Sequence, residues 1–307
     1  MDLIERIQSD LPLNKHEVRV LLLTASTRYK LHYIEKRHAR GKRLIAQPTA
    51  EIKILQRWAV ENYVNLLPVH EAATAYRVGK GIRDHAAIHA SNHYLLKLDF
   101  QNFFPSILGA HFVEHLKSYM EISNLDANLL MGLLFRYDLK QKDYVLSIGA
   151  PSSPAVSNTI MYDFDNSLTD FCMAHDVIYS RYADDLALST SRPKVLNKVF
   201  NYIKQLCSDM PYPRLLLNDE KTVFTSKKYR RQLTGLILNN DGNPSMGRDK
   251  KRLIRSMAYR FYKNELTQEQ SSHLKGLIAF AISIEPLFVK SIHKMIGEEA
   301  YLHLMKG

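Results

Sequence analysis

Cysteine is nearly absent from this chain: Cys172 and Cys207 are the only two among 307 residues. They form no Cys-x-x-Cys pair, which argues against a zinc site or a disulfide framework and fits a reducing compartment. Long hydrophobic runs are lacking too. The greasiest stretch, GLIAFAISI, stops at Glu285 and Pro286, well short of the ~18 residues that a membrane span needs. The N-terminal MDLIERIQSD has no apolar core of the kind a signal peptide carries, so a cytoplasmic protein without a membrane partner is expected. No internal repeat, low-complexity tract or long linker interrupts the chain. Acidic residues are in deficit: 31 Asp and Glu face 42 Lys and Arg, a net charge of +11. That excess favours a polyanionic partner, most simply nucleic acid.

What is present is an ordinary apolar fraction of 46% in a chain long enough for two or three subdomains. The spacing predicts helix, hairpin, helix over the first ninety or so residues. Asn14 is an N-cap candidate for NKHEVRVLLLTAS. In YKLHYIEKRHARGKRLIAQP two runs that read as strands flank a basic, Gly-containing turn, and Pro48 stops the second. EIKILQRWAVENYVNLL returns to helical spacing through Ile54, Leu55, Trp58 and Val64. HYLLKLD reads as a strand that ends on Asp99. SIGAPSSPAVSNTIMYDFDNSLTDF reads as a loop running into a helix, with Ser153 as N-cap, Pro154 in the first turn, and Val156, Ile160, Phe164, Leu168 and Phe171 buried. VIYSRY and LALST read as strands around ADD, RQLTGLILN as β-rich, and the tail as helices. The order mixes α and β without βαβ regularity, which predicts an α+β fold.

Asp184 and Asp185 are adjacent like charges at the tip of a short hairpin. An Asp in a turn usually bonds local backbone. Asp99, however, ends another strand, and if the strands are neighbours three carboxylates converge on one sheet edge. Such a cluster repels itself unless cations neutralise it. Oxygen ligands without His or Cys suit Mg²⁺ or Mn²⁺, and two such ions ~4 Å apart can activate a hydroxyl and stabilise a leaving pyrophosphate.

These segments resemble the palm of reverse transcriptases. Tyr-x-Asp-Asp on a hairpin, here YADD, follows an upstream Asp-x-x-x-x-aromatic. The ordered set sharpens the likeness: LKLDFQNFFPS, GAPSSPAVSN, YSRYADDLALS, LLLNDEKTVF and LTGLILN. Within that family the short bacterial retron enzymes are most similar, through GAPSSP, RYADDL and a TGL followed by a basic helix. The resemblance runs from about Tyr29 to the last helices. It implies an RNA-directed DNA polymerase with a right-hand fold: fingers, a palm of antiparallel sheet plus helices, and a helical thumb. The implied division is 1–91 for an N-terminal helix and fingers, 92–236 for a palm with inserted fingers elements at about 110–148, and 237–307 for the thumb.

The resemblance also implies roles. Asp99 and Asp184 would be the main metal ligands, with Asp185 in support and the Phe100 carbonyl as a further ligand. Phe104, five residues after Asp99, matches the aromatic that lies under the nucleotide sugar and selects deoxynucleotides. Lys42 and Arg43 match the fingers cations that hold the triphosphate, Arg43 the better placed and suited to bidentate contact. Lys221 matches the lysine proposed to protonate pyrophosphate. Two departures stand out. Ile148 occupies the position of the usual Gln, so nucleotide positioning leans on backbone near Gly149 and Ala150. The Asn-Ala-x-x-His segment of retron enzymes reads HAAIH, with His85 for Asn and His89 kept. The histidine spacing also allows a metal pair, with no third ligand evident.

The segment RDKKRLIRSMAYRFYK puts Leu253, Ile254, Met257, Ala258 and Phe261 on one helical face and Lys250, Lys251, Arg252, Arg255 and Arg260 around the rest. A basic amphipathic helix can meet a membrane or stay solvated; in a polymerase-like chain it grips the primer–template duplex through phosphates. Leu233, Thr234 and Gly235 resemble the retron triplet associated with recognition of the cognate RNA. The leading expectation is a retron enzyme that copies part of a structured non-coding RNA into small branched single-stranded DNA. Priming would be from an RNA 2′-hydroxyl, with deoxynucleoside triphosphates as substrates and a separate effector protein in phage defence. The alternatives are a group II intron-like or diversity-generating reverse transcriptase, or an RNA-binding protein with a degenerate polymerase fold. The chain ends soon after its thumb-like helices, which counts against the intron reading; a nucleotide cyclase would need a Gly-Gly-acidic hairpin, which is absent.

Overall fold

The computed structural model describes residues 2–35 and 41–306. Helices α1 (Leu3–Asp10) and α2 (Lys15–Thr24) open the chain, each closed by a capping box, Asp2 with Glu5 and Asn14 with Glu17. A hairpin follows, β1 (Tyr29–Glu35) against β2 (Lys42–Pro48), with Glu35 opposite Lys42. The tip of the expected basic turn, 36–40, lies outside the described residues. Helix α3 (Ala50–Asn62) buries Ile52, Leu55 and Trp58, whereas Ile54, expected inside, is 54% exposed. The buried face includes Gln56 instead, whose side-chain amide donates to the Leu133 carbonyl at 2.9 Å.

Helix α4 (Ile82–Ala90) leads into β3 (Tyr94–Asp99), the one-turn helix α5 (Phe103–Ser106), α6 (Gly109–Tyr119) and α7 (Asn124–Leu134). A small hairpin, β4 (Arg136–Asp138) with β5 (Asp143–Val145), precedes α8 (Ser153–Ile160) and α9 (Tyr162–Met173). The single helix expected here is two, broken at Met161. Ser153 is the first helical residue and Ser152 the cap position, and among the described residues neither hydroxyl finds a partner. Val156, Ile160, Phe164 and Leu168 are buried as expected; Phe171 is half-buried, stacked flat on Tyr202 at 3.8 Å.

The hairpin that carries YADD is β6 (Ile178–Tyr182) and β7 (Asp185–Thr190). After α10 (Val195–Asp209) and β8 (Val223–Ser226), an antiparallel sheet is complete in the order β6-β7-β3-β8. Leu95, Leu96 and Leu98 are all buried, so β3 is covered on both faces. The main core runs from α1 through α10. Strands β9 (Arg231–Leu233), β10 (Leu236–Leu238) and β11 (Pro244–Ser245) form a second small sheet. The chain ends in α11 (Arg248–Tyr262), α12 (Gln268–Ile284), α13 (Pro286–Ile296) and α14 (Glu298–Lys306). These helices build their own core on Ile254, Ala258, Leu274, Ile278, Phe288 and Ile292. Leu253, expected inside, is 47% exposed. Among the described residues no helix is long and apolar enough to cross a membrane.

Candidate active site

Strand register brings the predicted carboxylates together. β3 pairs antiparallel with β7, and Asp99 stands directly opposite Asp185. Like charges in that relation destabilise a sheet. Asp184 sits in the two-residue turn between Tyr182 and Asp185, and its backbone carbonyl accepts from the Phe100 N–H at 3.2 Å. Ala183, the first turn residue, takes φ +56°, a conformation that favours glycine. Burial, then the Asp99 charge, pushes the Asp184 carboxyl above its usual range. Burial, then the charges of Asp184 and Asp99, pushes Asp185 up to about 6. Lys221 answers part of this charge: its Nζ donates to both oxygens of Asp99 at 2.8 Å.

The donor set therefore fits a hard divalent cation: three carboxylates, two of them held in an environment that disfavours their charge. Among the described residues no three His, Cys, Asp or Glu side chains already converge as metal ligands. Asp99 is engaged by the Lys221 ammonium, which stands where a positive charge is wanted. Phe100 keeps its ring in the core, stacked 5.9 Å from Phe103.

A cavity of about 360 Å³ is lined by Phe104, Ile148, Gly149, Ala150, Tyr76, Lys53 and Arg57 among others; the three carboxylates are not part of its lining. Phe104 is half-buried, resting on the core with its rim in the cavity. The Gly149 loop is docked on the β1–β2 hairpin: the Ala46 N–H donates to the Ile148 carbonyl at 2.9 Å. Gly149 takes φ +114°, and a Cβ there would stand 3.1 Å from the Ala46 carbonyl oxygen, so glycine is required twice over. Lys42 and Arg43 are both exposed on β2, and the Arg43 charge reaches Asp184.

The hairpin is held from beneath by the two histidines of HAAIH and by a buried ion pair, Arg181–Asp165, that the sequence did not single out. His85 and His89 are fully buried. The His89 ring bridges the two strands through Ser180 at 2.8 Å and Ser189 at 2.7 Å, and His85 Nδ1 contacts Ser180 at 2.8 Å and Thr74 at 3.1 Å. Burial holds His85 down at about 4 and His89 well below its ordinary value, so both rings are neutral, and both nitrogens of His89 are taken up by the serine hydroxyls. Beside them Arg181 forms a fully buried bidentate pair with Asp165, at 2.9 and 2.7 Å, and also donates to the Ala183 carbonyl at 3.1 Å. Lys53 and Arg57, four residues apart on α3, are further cations that helical spacing alone could have flagged.

The Leu233–Gly235 segment is the β9–β10 turn, with Thr234 at φ +46° and Gly235 at φ +81°. It lines a second cavity, of about 200 Å³, with Lys97 and Asp185. Among the described residues the Thr234 hydroxyl has no hydrogen-bond partner, whereas Leu233 is 1% exposed and packs in the core, so its side chain is turned away from any nucleic acid at this surface. On α11, Arg252 and Arg255 are exposed, the latter over the Phe288 ring. Lys250 lies over Phe280. Lys251 is redirected: its Nζ pairs with Glu285 at 2.5 Å, a contact that fastens α11 to the end of α12.

The reverse transcriptase (RNA-dependent DNA polymerase) family matches residues 34–238. The chain is 40% identical over 284 residues to the retron Ec83 reverse transcriptase of Escherichia coli, covering 92% of this chain and 91% of that protein. It is 28% identical over 269 residues to the retron Ec86 reverse transcriptase of the same organism, covering 87% and 80%. Among solved structures, telomerase from Candida tropicalis in complex with a telomeric RNA fragment superposes with a TM-score of 0.53 at 13% identity, covering 89% of this chain. Apo telomerase from the same source superposes at 0.52 with 12% identity and 87% coverage. This chain spans just over half the length of those telomerase chains, 53% and 58%, and the likeness is one of fold. A mixed antiparallel sheet and helices in the right-hand polymerase arrangement, a family match across most of the chain and close retron relatives agree: the chain belongs to the reverse transcriptases, RNA-directed DNA polymerases, and among them to the bacterial retron type.

Proposed function

We propose that this enzyme copies part of a structured non-coding RNA into a small single-stranded DNA that stays branched to the RNA, with Asp99, Asp184 and Asp185 as its catalytic carboxylates. The observation that carries the reading is the Asp99–Asp185 pairing across β3 and β7, with Asp184 in the adjoining turn and Lys221 on Asp99. The three carboxylates, with the Phe100 carbonyl, would hold two Mg²⁺ or Mn²⁺ ions, which when bound acidify the attacking hydroxyl and carry charge on the departing pyrophosphate. Lys221 must leave Asp99 for that, and its ammonium is then free to give the proton that pyrophosphate takes. The hydroxyl gives up its proton to solvent water, and its oxygen bonds to the α-phosphorus as the bond to the pyrophosphate oxygen breaks. Arg43 and Lys42 hold the triphosphate from the hairpin above Asp184. Phe104 sits under the sugar, where its ring excludes a 2′-hydroxyl, and the Gly149–Ala150 backbone borders the same space.

Residues 1–91 and the insert at about 110–148 serve as fingers, 92–236 as palm and 237–307 as thumb. Thr234 and Gly235 at the edge of the site, and Arg252 and Arg255 on α11, grip the RNA and the growing hybrid through phosphates and shape. The palm needs only a hydroxyl in line with the α-phosphate, and a folded RNA held rigidly can present an internal 2′-hydroxyl. The resemblance to retron enzymes extends the proposal to phage defence beside a separate effector protein.

Expression with the neighbouring native RNA tests the reading. DNA covalently joined to RNA is expected, with a ribonucleotide remnant after RNase treatment that a debranching enzyme removes. DNA with a free 5′ end, or initiation only from added 3′-hydroxyl primers, rejects the branch.

A further inference from the structure

Tyr76 is an aromatic side chain placed where folding alone gives no reason to place one. It is 53% exposed and takes φ +60°, the left-handed region that a bulky residue rarely adopts. Ties on both sides hold that conformation. The Thr74 N–H donates to the Arg181 carbonyl at 2.8 Å, and the Arg181 N–H to the Ala72 carbonyl at 2.7 Å. Asn158 Nδ2 donates to the Ala75 carbonyl at 2.9 Å. On the other side Arg77 reaches the His70 carbonyl at 3.3 Å and pairs with Glu71 at 2.8 Å. Strained residues persist where the surroundings over-determine them, and they cluster at ligand sites. Here the surroundings include Arg181, the residue that also anchors the Asp184 turn.

The ring lines the same 360 Å³ cavity as Phe104, Gly149 and Ala150. We propose that Tyr76 forms a wall of the incoming-nucleotide pocket and packs against the nucleobase of the deoxynucleoside triphosphate. This rests on the nucleotide site proposed above, where Phe104 lies under the sugar. A nucleotide seated on Phe104 shares its cavity with Tyr76, whose ring is the other large aromatic in the lining. Base–aromatic stacking is tolerant of sequence, so the contact serves all four bases and contributes affinity rather than selection among them.

The backbone supplies a clean test. Glycine and asparagine both accept positive φ, so Tyr76→Gly and Tyr76→Asn remove the ring without adding strain. In single-nucleotide extension on a fixed template–primer, both are expected to raise KM for the nucleotide about tenfold, in line with the loss of one stacked base. kcat should change less than threefold and the melting temperature should hold or rise. Tyr76→Phe should restore KM to within threefold of the parent. The same shift should show without chemistry, as weaker nucleotide-dependent retention of a dideoxy-terminated primer in a gel shift. An unchanged KM in the ringless variants overturns the proposal, as does a fall in melting temperature in both, which makes Tyr76 a packing residue. If Asp184→Asn extends primers as the parent does, the nucleotide site itself is misplaced; if only the Tyr76 variants behave as the parent, that site stands and the base contact falls.

Discussion

The sheet edge at Asp184 and the outer face of α11 are both dense in charge of one sign, and the molecule treats them oppositely. At the sheet edge, Asp99 and Asp185 face one another in register, and Asp184 and Asp185 are pushed toward neutrality. Around them stand a turn residue at positive φ, two neutral buried histidines and a buried Arg181–Asp165 pair. On α11 the cations are spread over exposed positions, laid over Phe280 and Phe288, or matched by Glu285. The first region concentrates like charge at a cost in stability and braces it with polar scaffolding. The second disperses like charge at almost no cost. On the function proposed above, the first region carries the chemistry and the second meets the polyanion.

The sharpest break of that contrast is Asp184→Asn. DNA synthesis should fall by about a thousandfold, while RNA binding stays close to the parent and the melting temperature does not fall; robust extension by the variant would put the chemistry elsewhere. Next comes the bracing. His89→Ala leaves Ser180 and Ser189 without their shared partner and opens a cavity, and should cost about 2–4 kcal/mol in chemical denaturation. A loss below ~0.5 kcal/mol would mean that the histidine is not what holds the two strands.

The acid response should separate the two kinds of buried group. Asp185, raised from 3.8 to about 6, binds its proton more readily folded than unfolded. Its ionisation therefore removes stability as pH rises from about 4 through 6. In chelator, Asp185→Asn should be more stable than the parent at pH 8 by on the order of 2 kcal/mol, and the gap should close near pH 4. His85, lowered from 6.5 to about 4, acts with the other sign: its stability is present above pH 6.5 and lost as pH falls toward 4. A gap that does not depend on pH would remove Asp185 as the source. The smallest effects belong to α11. Arg252→Gln and Arg255→Gln should each weaken hybrid binding several-fold and reduce the salt slope by about 1, without changing the melting temperature. Lys251→Gln should do the reverse, lowering the melting temperature with little change in salt slope, because Glu285 loses its partner.

Much of this was legible in the sequence because it is local. The Asn14 cap, the Pro48 strand end and the YADD turn between two short strands each follow from backbone chemistry within a few residues. Ile54 and Leu253 broke the helical stripes because a stripe's orientation depends on what it packs against: Gln56 seeks the Leu133 carbonyl, and α11 is fastened through Lys251. The break at Met161 leaves no mark in apolar spacing, since Val156, Ile160, Phe164 and Leu168 keep their period across it. Lys251 read as a free cation because Glu285 lies 34 residues on.

The sequence by itself determined the chemistry available: three carboxylates without soft ligands, a basic chain, and an ordered set of segments that resemble a polymerase palm. Only the tertiary structure decided which groups meet. Strand register set Asp99 against Asp185, and the packing of α4 turned two histidines that read as possible ligands into buried struts. The loop at Tyr76 acquired its conformation from Arg181 and Asn158, both distant in sequence. Residue type fixes what a side chain can do, but long-range hydrogen bonds and burial decide which charge is neutralised, which is stranded and which faces the cavity.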